Sequence, residues 1–330
     1  MDLEGGASPE MKGFRMLSMY ERLSQGEVLN KKSEAAYYGV NEKSIQRDIE
    51  HLRLYLMERY PQDEESTIEY DRHQDGYVLR KGSQQWLSRE EVLWLARILL
   101  ESRSLPPQEM RALLDKLTAQ CTPRERKRIA EIVRNETFHY MPLQHGRVLV
   151  TMVWDLSQAY REQQVVEIDY LRVGSTQGRK RRVYPQGVLF SEYYFYLLAY
   201  IEGQPYDFPT IYRLDRIQHY EVTQAHFDVN YAKRFQEGEF RKRIQFMQSG
   251  QLMKVTFRFW GESLEAILDR LPTATIMKRG DTGTILQAET FGRGIKMWFL
   301  SQAQYLEVLE PVEFREEMRR TAKAIMDSYE

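Results

Sequence analysis

The sequence predicts a multidomain α+β protein. Its 330 residues exceed the roughly 100–200 expected of one domain. The spacing of apolar residues also changes period several times along the chain, alternating helical with strand-rich blocks. The last 80 residues interleave strands and helices, which is an α+β pattern.

The first block is helical. Phe14, Met16, Leu17, Tyr20 and Leu23 recur at helical spacing, and a second helix over 31–38 closes at Gly39, the usual left-handed stop. Asn41 supplies an N-cap for a third helix over 42–57, where Ile45, Ile49, Leu52 and Leu56 form one apolar face. After Pro61, Thr67–Tyr70 and Gly76–Arg80 read as two strands around a polar turn, Asp71–Asp75. Residues 86–163 are mainly helical. Ser88 and Glu91 make a capping box, Pro106-Pro107 and Pro123 start further helices, and one more amphipathic helix lies within 145–163.

Residues 165–222 carry four or five short strands: 165–172, 182–190, 193–201 and 211–222, with 174–181 read as a polar loop. This density predicts a small barrel or sandwich. A charged connector, 233–243, leads to the tail: strand 252–259, helix 262–271, strands 274–279 and 283–291, helix 293–302, strand 304–309 and helix 312–328.

Composition limits the function. With 47 basic and 48 acidic side chains, the formal net charge is −1, which argues against a polybasic protein, so any nucleic-acid site must be local. Hydrophobic content of 42% and charged content of 29% fit an ordinary globular chain. The single cysteine, Cys121, forms no internal disulfide and fits a reducing cytoplasm. Met1–Glu10 lacks the basic and apolar regions of a signal peptide, and the apolar run 193–201 is too short to span a bilayer. A cytoplasmic protein without membrane contact is expected. The six histidines form no His-x-x-x-His pair and no cluster with Cys121, and no nucleophile elbow, kinase set or dinucleotide fingerprint occurs. The expectation is a non-enzyme with no metal and no cofactor.

Helix 31–38, the turn at Gly39-Val40 and helix 42–57 are spaced like a helix-turn-helix, whose second helix enters the major groove. Lys43, Ser44, Gln46 and Arg47 stand near its start: Lys or Arg suits guanine, Gln suits adenine, and Ser suits a base edge or phosphate. Arg72 and His73, at the tip of a hairpin wing, can touch backbone or minor groove. Residues 10–60 hold 9 basic and 8 acidic side chains, so charge alone also allows a three-helix unit with a solvated polar face.

The run from Tyr38 to Glu50 (Y-G-V-N-E-K-S-I-Q-R-D-I-E) resembles the DeoR-type winged helix-turn-helix, with Asn41 in place of the usual Ser/Thr cap and Lys43 in place of an Arg. Residues 165–222 resemble the WYL domain of bacterial transcriptional regulators, an Sm-like SH3-type β-barrel. The matching pieces are Ile168-Asp169-Tyr170, Arg182–Val188, Phe195–Tyr200 and Tyr212–Ile217, with Phe195-Tyr196-Leu197 at the eponymous Trp-Tyr-Leu. Residues 251–330 resemble the extension that commonly follows WYL domains, which implies a ferredoxin-like fold and dimer contacts. The clearest pieces are Val255–Phe259 and Gly292–Leu300.

Together these resemblances imply four parts: a DNA-binding winged helix-turn-helix at 11–82, a helical linker at 86–140, a WYL effector-sensing domain with its leading helix at 141–228, and a dimerising extension at 251–330. They imply a ligand-responsive regulator whose partners are double-stranded operator DNA, a nucleic acid or nucleotide-like effector, and a second copy of the chain. The alternative is a nucleic-acid-binding accessory protein in DNA processing or phage defence.

The effector set is Tyr170, Arg182, Tyr184, Tyr196, Arg213 and Arg216. Guanidinium groups suit phosphate, and tyrosine rings offer stacking faces. Three alternatives stay open. Tyr196 is as well suited to a core as to a ligand. In a regular strand Arg213 and Arg216 would face opposite ways, leaving one to pair with Asp215 or Asp169. The run 179–182 also fits a solvated loop. Arg293 and Lys296 fit either an interdomain cleft or the solvated side of their helix.

Overall fold

The computed structural model describes residues 9–59, 67–80, 87–205, 208–228, 235–248 and 250–330. Residues 1–8, the segments 60–66 and 81–86, and the start of the charged connector at 233 lie outside these residues. The chain divides into two compact units, Met1–Gly146 and Arg147–Glu330. No helix among the described residues is long and apolar enough to cross a membrane.

The first unit begins with α1 (Pro9–Ser24), α2 (Lys31–Tyr38) and α3 (Glu42–Arg59), followed by the antiparallel hairpin of β1 (Thr67–Asp71) and β2 (Gly76–Arg80). Asn30 caps α2 by accepting from the Lys32 and Ser33 amides, and Gly39 ends it at φ 65°. Asn41 accepts the Ser44 amide at 2.8 Å and so starts α3. The i, i+4, i+7 face of α3 is buried as expected: Ile45, Ile49, Leu52 and Leu56 pack with Met19, Leu23, Leu29, Ile68 and Tyr77. At the roughly 1.5–3 kcal/mol that burying each large apolar side chain contributes, this layer holds the three helices on the hairpin. Leu29 also pairs with Tyr77 as an isolated antiparallel bridge.

The same unit continues with α4 (Arg89–Ser102), α5 (Pro107–Thr118) and α6 (Pro123–Phe138). Capping boxes start two of these helices, Ser88 with Glu91 and Thr122 with Glu125. Cys121 is buried beside Val92 and Ile129. Gly26, at φ +83°, sits against α6; a Cβ there would lie 2.5 Å from Thr122 Cγ2.

The second unit opens with α7 (Val150–Arg161), which lies within the expected 145–163; Gly146, at φ 57°, precedes it. The antiparallel sheet that follows contains β3 (Gln164–Leu171), β4 (Gly178–Ser191), β5 (Tyr194–Ile201), β6 (Thr210–Arg213) and β7 (Ile217–His226), in the order β6-β5-β4-β3-β7. The expected barrel is not closed: no ladder joins β6 to β7 among the described residues. β6 is only four residues long and passes through a 3-10 turn, Leu214–Arg216, directly into β7. Met152, Leu156 and Ala159 of α7 fill one sheet face against Val166, Ile168, Val183, Leu197 and Tyr212, so a helix covers the apolar surface that closure would otherwise bury. The supposed loop 174–181 is also corrected. Strand β4 starts at Gly178, and Arg179 to Arg182 pair with Tyr170 to Glu167 of β3.

The charged connector forms α8 (Glu237–Arg243), whose Phe240 packs with Ile244, Leu189, Leu198 and Phe291. The Glu237 carboxylate lies against Gly187, where a Cβ would meet it at 1.6 Å. Beyond it run β8 (Leu252–Phe259), α9 (Leu264–Arg270), β9 (Thr275–Gly280), β10 (Gly283–Phe291), α10 (Gly292–Ser301), β11 (Leu306–Glu310) and α11 (Val312–Asp327). The antiparallel sheet order is β11-β8-β10-β9. This is the β-α-β-β-α-β succession expected from the sequence, with Phe257, Phe299, Ile295 and Phe314 in its core.

Candidate nucleic-acid and ligand surfaces

The first two turns of α3 carry all four of the base readers expected from the sequence, but they differ in what they are free to do. Lys43 and Arg47 are exposed, one turn apart, with no carboxylate within 4 Å among the described residues. The Ser44 hydroxyl donates to Asn41 Oδ1 at 3.0 Å, so it is engaged in the cap. Gln46 is held at both ends: Tyr77 of β2 donates its hydroxyl to Gln46 Oε1 at 2.6 Å, and Gln46 Nε2 donates to Glu50 at 3.0 Å. Gln46 therefore braces α3 against the hairpin, a role without a sequence signal because it depends on where Tyr77 arrives in space.

Two further contacts fix α3. Arg53 Nε donates to the Ile68 carbonyl at 2.6 Å. Arg15 Nε donates to Asp48 Oδ2 at 2.6 Å, with both side chains buried. Arg72 and His73 are exposed in the hairpin turn. That turn is held by Asp71, which accepts from the His73 and Gln74 amides, and by Tyr70, which donates to Asp75. The Gln74 side-chain hydrogen bond and those two amides keep the Asp71 carboxyl below its ordinary range.

The six effector residues do not form one cluster. Tyr196 lies opposite Arg213 across the β5–β6 ladder. The Arg213 guanidinium sits 3.4 Å over the Tyr194 ring and makes two hydrogen bonds to Asp215, at 3.0 and 2.7 Å. Asp215 thus neutralises Arg213. Arg216, at the end of the 3-10 turn, has no carboxylate within 4 Å among the described residues. Burial pushes the Tyr196 phenol up, while the positive fields of Arg213 and Arg216 pull it down. Tyr196 and Arg216 are therefore the polar pair in this corner not already spent on a salt bridge.

The other three residues sit elsewhere. Tyr170 packs edge-on against Tyr212, ring centroids 4.9 Å apart, on the face covered by α7. Tyr184 stacks on Phe227 and donates to Glu202 at 3.2 Å. Arg182 lies between Glu167 and Glu202, at 3.6 and 3.4 Å. Tyr184 pairs with Tyr200 and Arg213 with Tyr196, so four residues of β5, about 13 Å, separate the two groups. Lys180, Arg181 and Arg182 share a shallow depression with Glu167, Asp169, His219 and Glu221, so the basic run lies in a surface of mixed charge. Asp169 Oδ1 in this depression is buried without a hydrogen-bond partner among the described residues.

Sequence reasoning missed Tyr194 under Arg213, since only strand phase distinguishes it from its neighbour Tyr193. Lys296 pairs with Glu317 of α11 at 2.8 Å, so its ammonium is tied to the next helix. Among the described residues, no group of three His, Cys, Asp or Glu side chains is placed to hold a metal ion.

Comparison with known proteins gives the regions a class. Residues 152–222 match the WYL domain and residues 251–326 the WCX domain. No curated protein sequence matches the chain. Among solved structures, proteasome accessory factor B/C (PafBC) of Arthrobacter aurescens is similar at 18% identity and a TM-score of 0.31, over 100% of this chain and 51% of that one. The chain thus spans about half the length of PafBC. A CRISPR Cas-related protein is similar at 14% identity and a TM-score of 0.38, over 97% of this chain and 84% of that one.

Proposed function

We propose that the chain is a DNA-binding transcriptional regulator: α3 reads operator DNA, the β1–β2 hairpin contacts the backbone, and the WYL region senses a nucleic acid or nucleotide-like anion. The observation that carries this reading is the pair Lys43 and Arg47. Both are exposed, with no carboxylate within 4 Å among the described residues, in the first two turns of a helix that follows a helix and a tight Gly39 turn. That placement suits bidentate contact with guanine O6 and N7. The effector corner is Tyr196 with Arg216, and Arg213 acts there as a positioning residue through Asp215. The WCX region holds a homodimer, whose paired α3 helices would span half-sites about 34–36 Å apart. No reaction, metal or cofactor is assigned.

The test begins with duplexes that the full-length protein selects from a random pool. Lys43→Ala with Arg47→Ala should lower affinity at least tenfold and flatten the sequence preference, as expected if each base contact is worth about 1–3 kcal/mol. Unchanged selectivity would overturn the assignment of α3. Single-stranded oligonucleotides and free nucleotides, titrated against wild type and Arg216→Ala, test the sensor. An anion that binds wild type and shifts duplex affinity should do neither in Arg216→Ala, and no response to any probe would remove this effector class.

A further inference from the structure

Helix α6 presents a face that the reading above leaves unused. It carries Arg124, Arg126, Lys127, Arg128 and Arg134 against Glu125, Glu131 and Glu136. Two of its carboxylates are occupied: Glu125 is turned back to accept from the Thr122 amide and hydroxyl, and Glu136 pairs with Arg97 at 2.6 Å. Arg126 is paired with Asp115. Arg124, Lys127, Arg128 and Arg134 are exposed and have no carboxylate within 4 Å among the described residues. Arg124 and Arg128 rim a groove of about 490 Å³ between α4 and α6, floored by Leu93, Ile129 and Ile132; its other charged lining is Glu125 and the Arg89–Glu90 pair.

This groove is joined to the DNA-reading elements within one compact unit. Thr122, the cap of α6, touches Gly26 so closely that a Cβ there would meet it at 2.5 Å. Three residues on, Leu29 pairs with Tyr77 of β2, and Asn30 Nδ2 donates to the Asp75 carbonyl in the hairpin turn at 2.7 Å. The start of α6 therefore adjoins the edge where α2 begins and the hairpin turns. Arg124 and Arg128 follow Thr122 by two and six residues, within about 9 Å along the helix.

Charge supplies the second argument. Affinity for duplex DNA comes largely from cations that neutralise phosphates. Helix α3 holds four basic and four acidic side chains, and one of the four bases, Arg53, is committed to the Ile68 carbonyl. The helix that reads sequence is thus poorly equipped to supply that electrostatic attraction, whereas the free face of α6 has four unpaired cations.

We propose that Arg124 and Arg128, with Lys127 beside them, form a second contact to the phosphate backbone of duplex DNA, continuing the DNA surface from the winged unit onto α6. The inference rests on the DNA-binding reading above. It predicts a contact that adds affinity without sequence preference, because phosphates carry no base information.

The experiment compares full-length wild type with Arg124→Ala/Arg128→Ala and with the charge reversal Arg124→Glu/Arg128→Glu. All three are titrated over a range of salt by fluorescence anisotropy, on a duplex the wild type selects from a random pool. The alanine variant should lower the slope of log affinity against log salt by about 1.8, two phosphates at about 0.9 each, and the reversal should lower affinity further. The ranking of selected sequences and the thermal melting curve should stay as in wild type, which separates a phosphate contact from misfolding. Salt slopes equal to wild type in both variants would overturn the inference while leaving α3 as the reader, with the groove then free for another partner such as an acidic peptide. A changed sequence ranking would also overturn it. Failure of the wild type to select any duplex would remove the DNA-binding reading and this inference with it.

Discussion

The Arg15 to Asp48 pair is the most demanding test of how α3 is held. The two side chains are 7% and 1% exposed, and Arg15 Nε lies 2.6 Å from Asp48 Oδ2. Truncating Asp48 to alanine would leave a guanidinium with no compensating charge in a site almost without water. Breaking a buried pair from one side costs about 3–5 kcal/mol, a large share of the 5–15 kcal/mol by which domains are stable. At 1.4 kcal/mol per factor of ten, the folded-to-unfolded ratio of the first unit should fall by roughly two to four powers of ten. Replacing both partners, Arg15→Met with Asp48→Leu, removes the stranded charge and should recover most of that loss. Urea titrations of wild type and the two variants, followed by far-ultraviolet circular dichroism, give the comparison. The midpoint should drop sharply in Asp48→Ala and return in the double variant, with the slope constant. A single-variant loss below about 1 kcal/mol, the range of exposed pairs, would refute the claim that this contact is buried and anchoring. So would a double variant as unstable as the single.

Two further outcomes concern the second unit. Leu156 of α7 is fully buried against the five-stranded sheet, so Leu156→Ala should cost about 2–5 kcal/mol in the same titration, and a loss under 1 kcal/mol would mean that α7 does not fill that face. Tyr220 is pushed up to about 12 by burial and by its hydrogen bond to Asp155 at 2.7 Å. Its unfolded value is about 10, so its contribution is complete below that pH and is lost as pH rises toward 12. Tyr220→Phe should therefore flatten the fall in stability between those two values, and a variant whose alkaline fall matches wild type would contradict the assignment.

Much of the local structure was legible in the sequence because it depends on near neighbours. Gly39 ends α2, Asn41 starts α3, and the Ser88 capping box opens α4, each through bonds spanning a few residues. The tail elements fall within about two residues of their expected limits, helped by the regular alternation of buried positions in β8 and by turn and cap residues that lie next to the elements they bound. The failures have a common cause. Arg179 to Arg181 read as the end of a loop, since adjacent bases after a glycine-bearing polar stretch have little strand propensity, yet pairing with β3 draws them into β4. Barrel closure also failed as an expectation, because the cover supplied by α7 comes from a segment outside the strand pattern.

The candidate sites divide along the same line. Lys43 and Arg47 were identified from position alone, because an exposed helix face follows from periodicity. Whether a polar side chain is available depends on partners distant in sequence, as Gln46 shows with Tyr77, 31 residues away, and Arg182 with Glu202, 20 residues away. The sequence by itself determined the order of elements, the apolar faces, the caps and the near-zero charge balance. Only the tertiary structure decided which cations remain unpaired, that the 179–182 run pairs with β3, and that the cap of α6 meets the loop before α2 through Thr122 and Gly26. The physical reason is that periodicity and capping are short-range, whereas charge neutralisation and close packing join residues that meet only when the chain has folded.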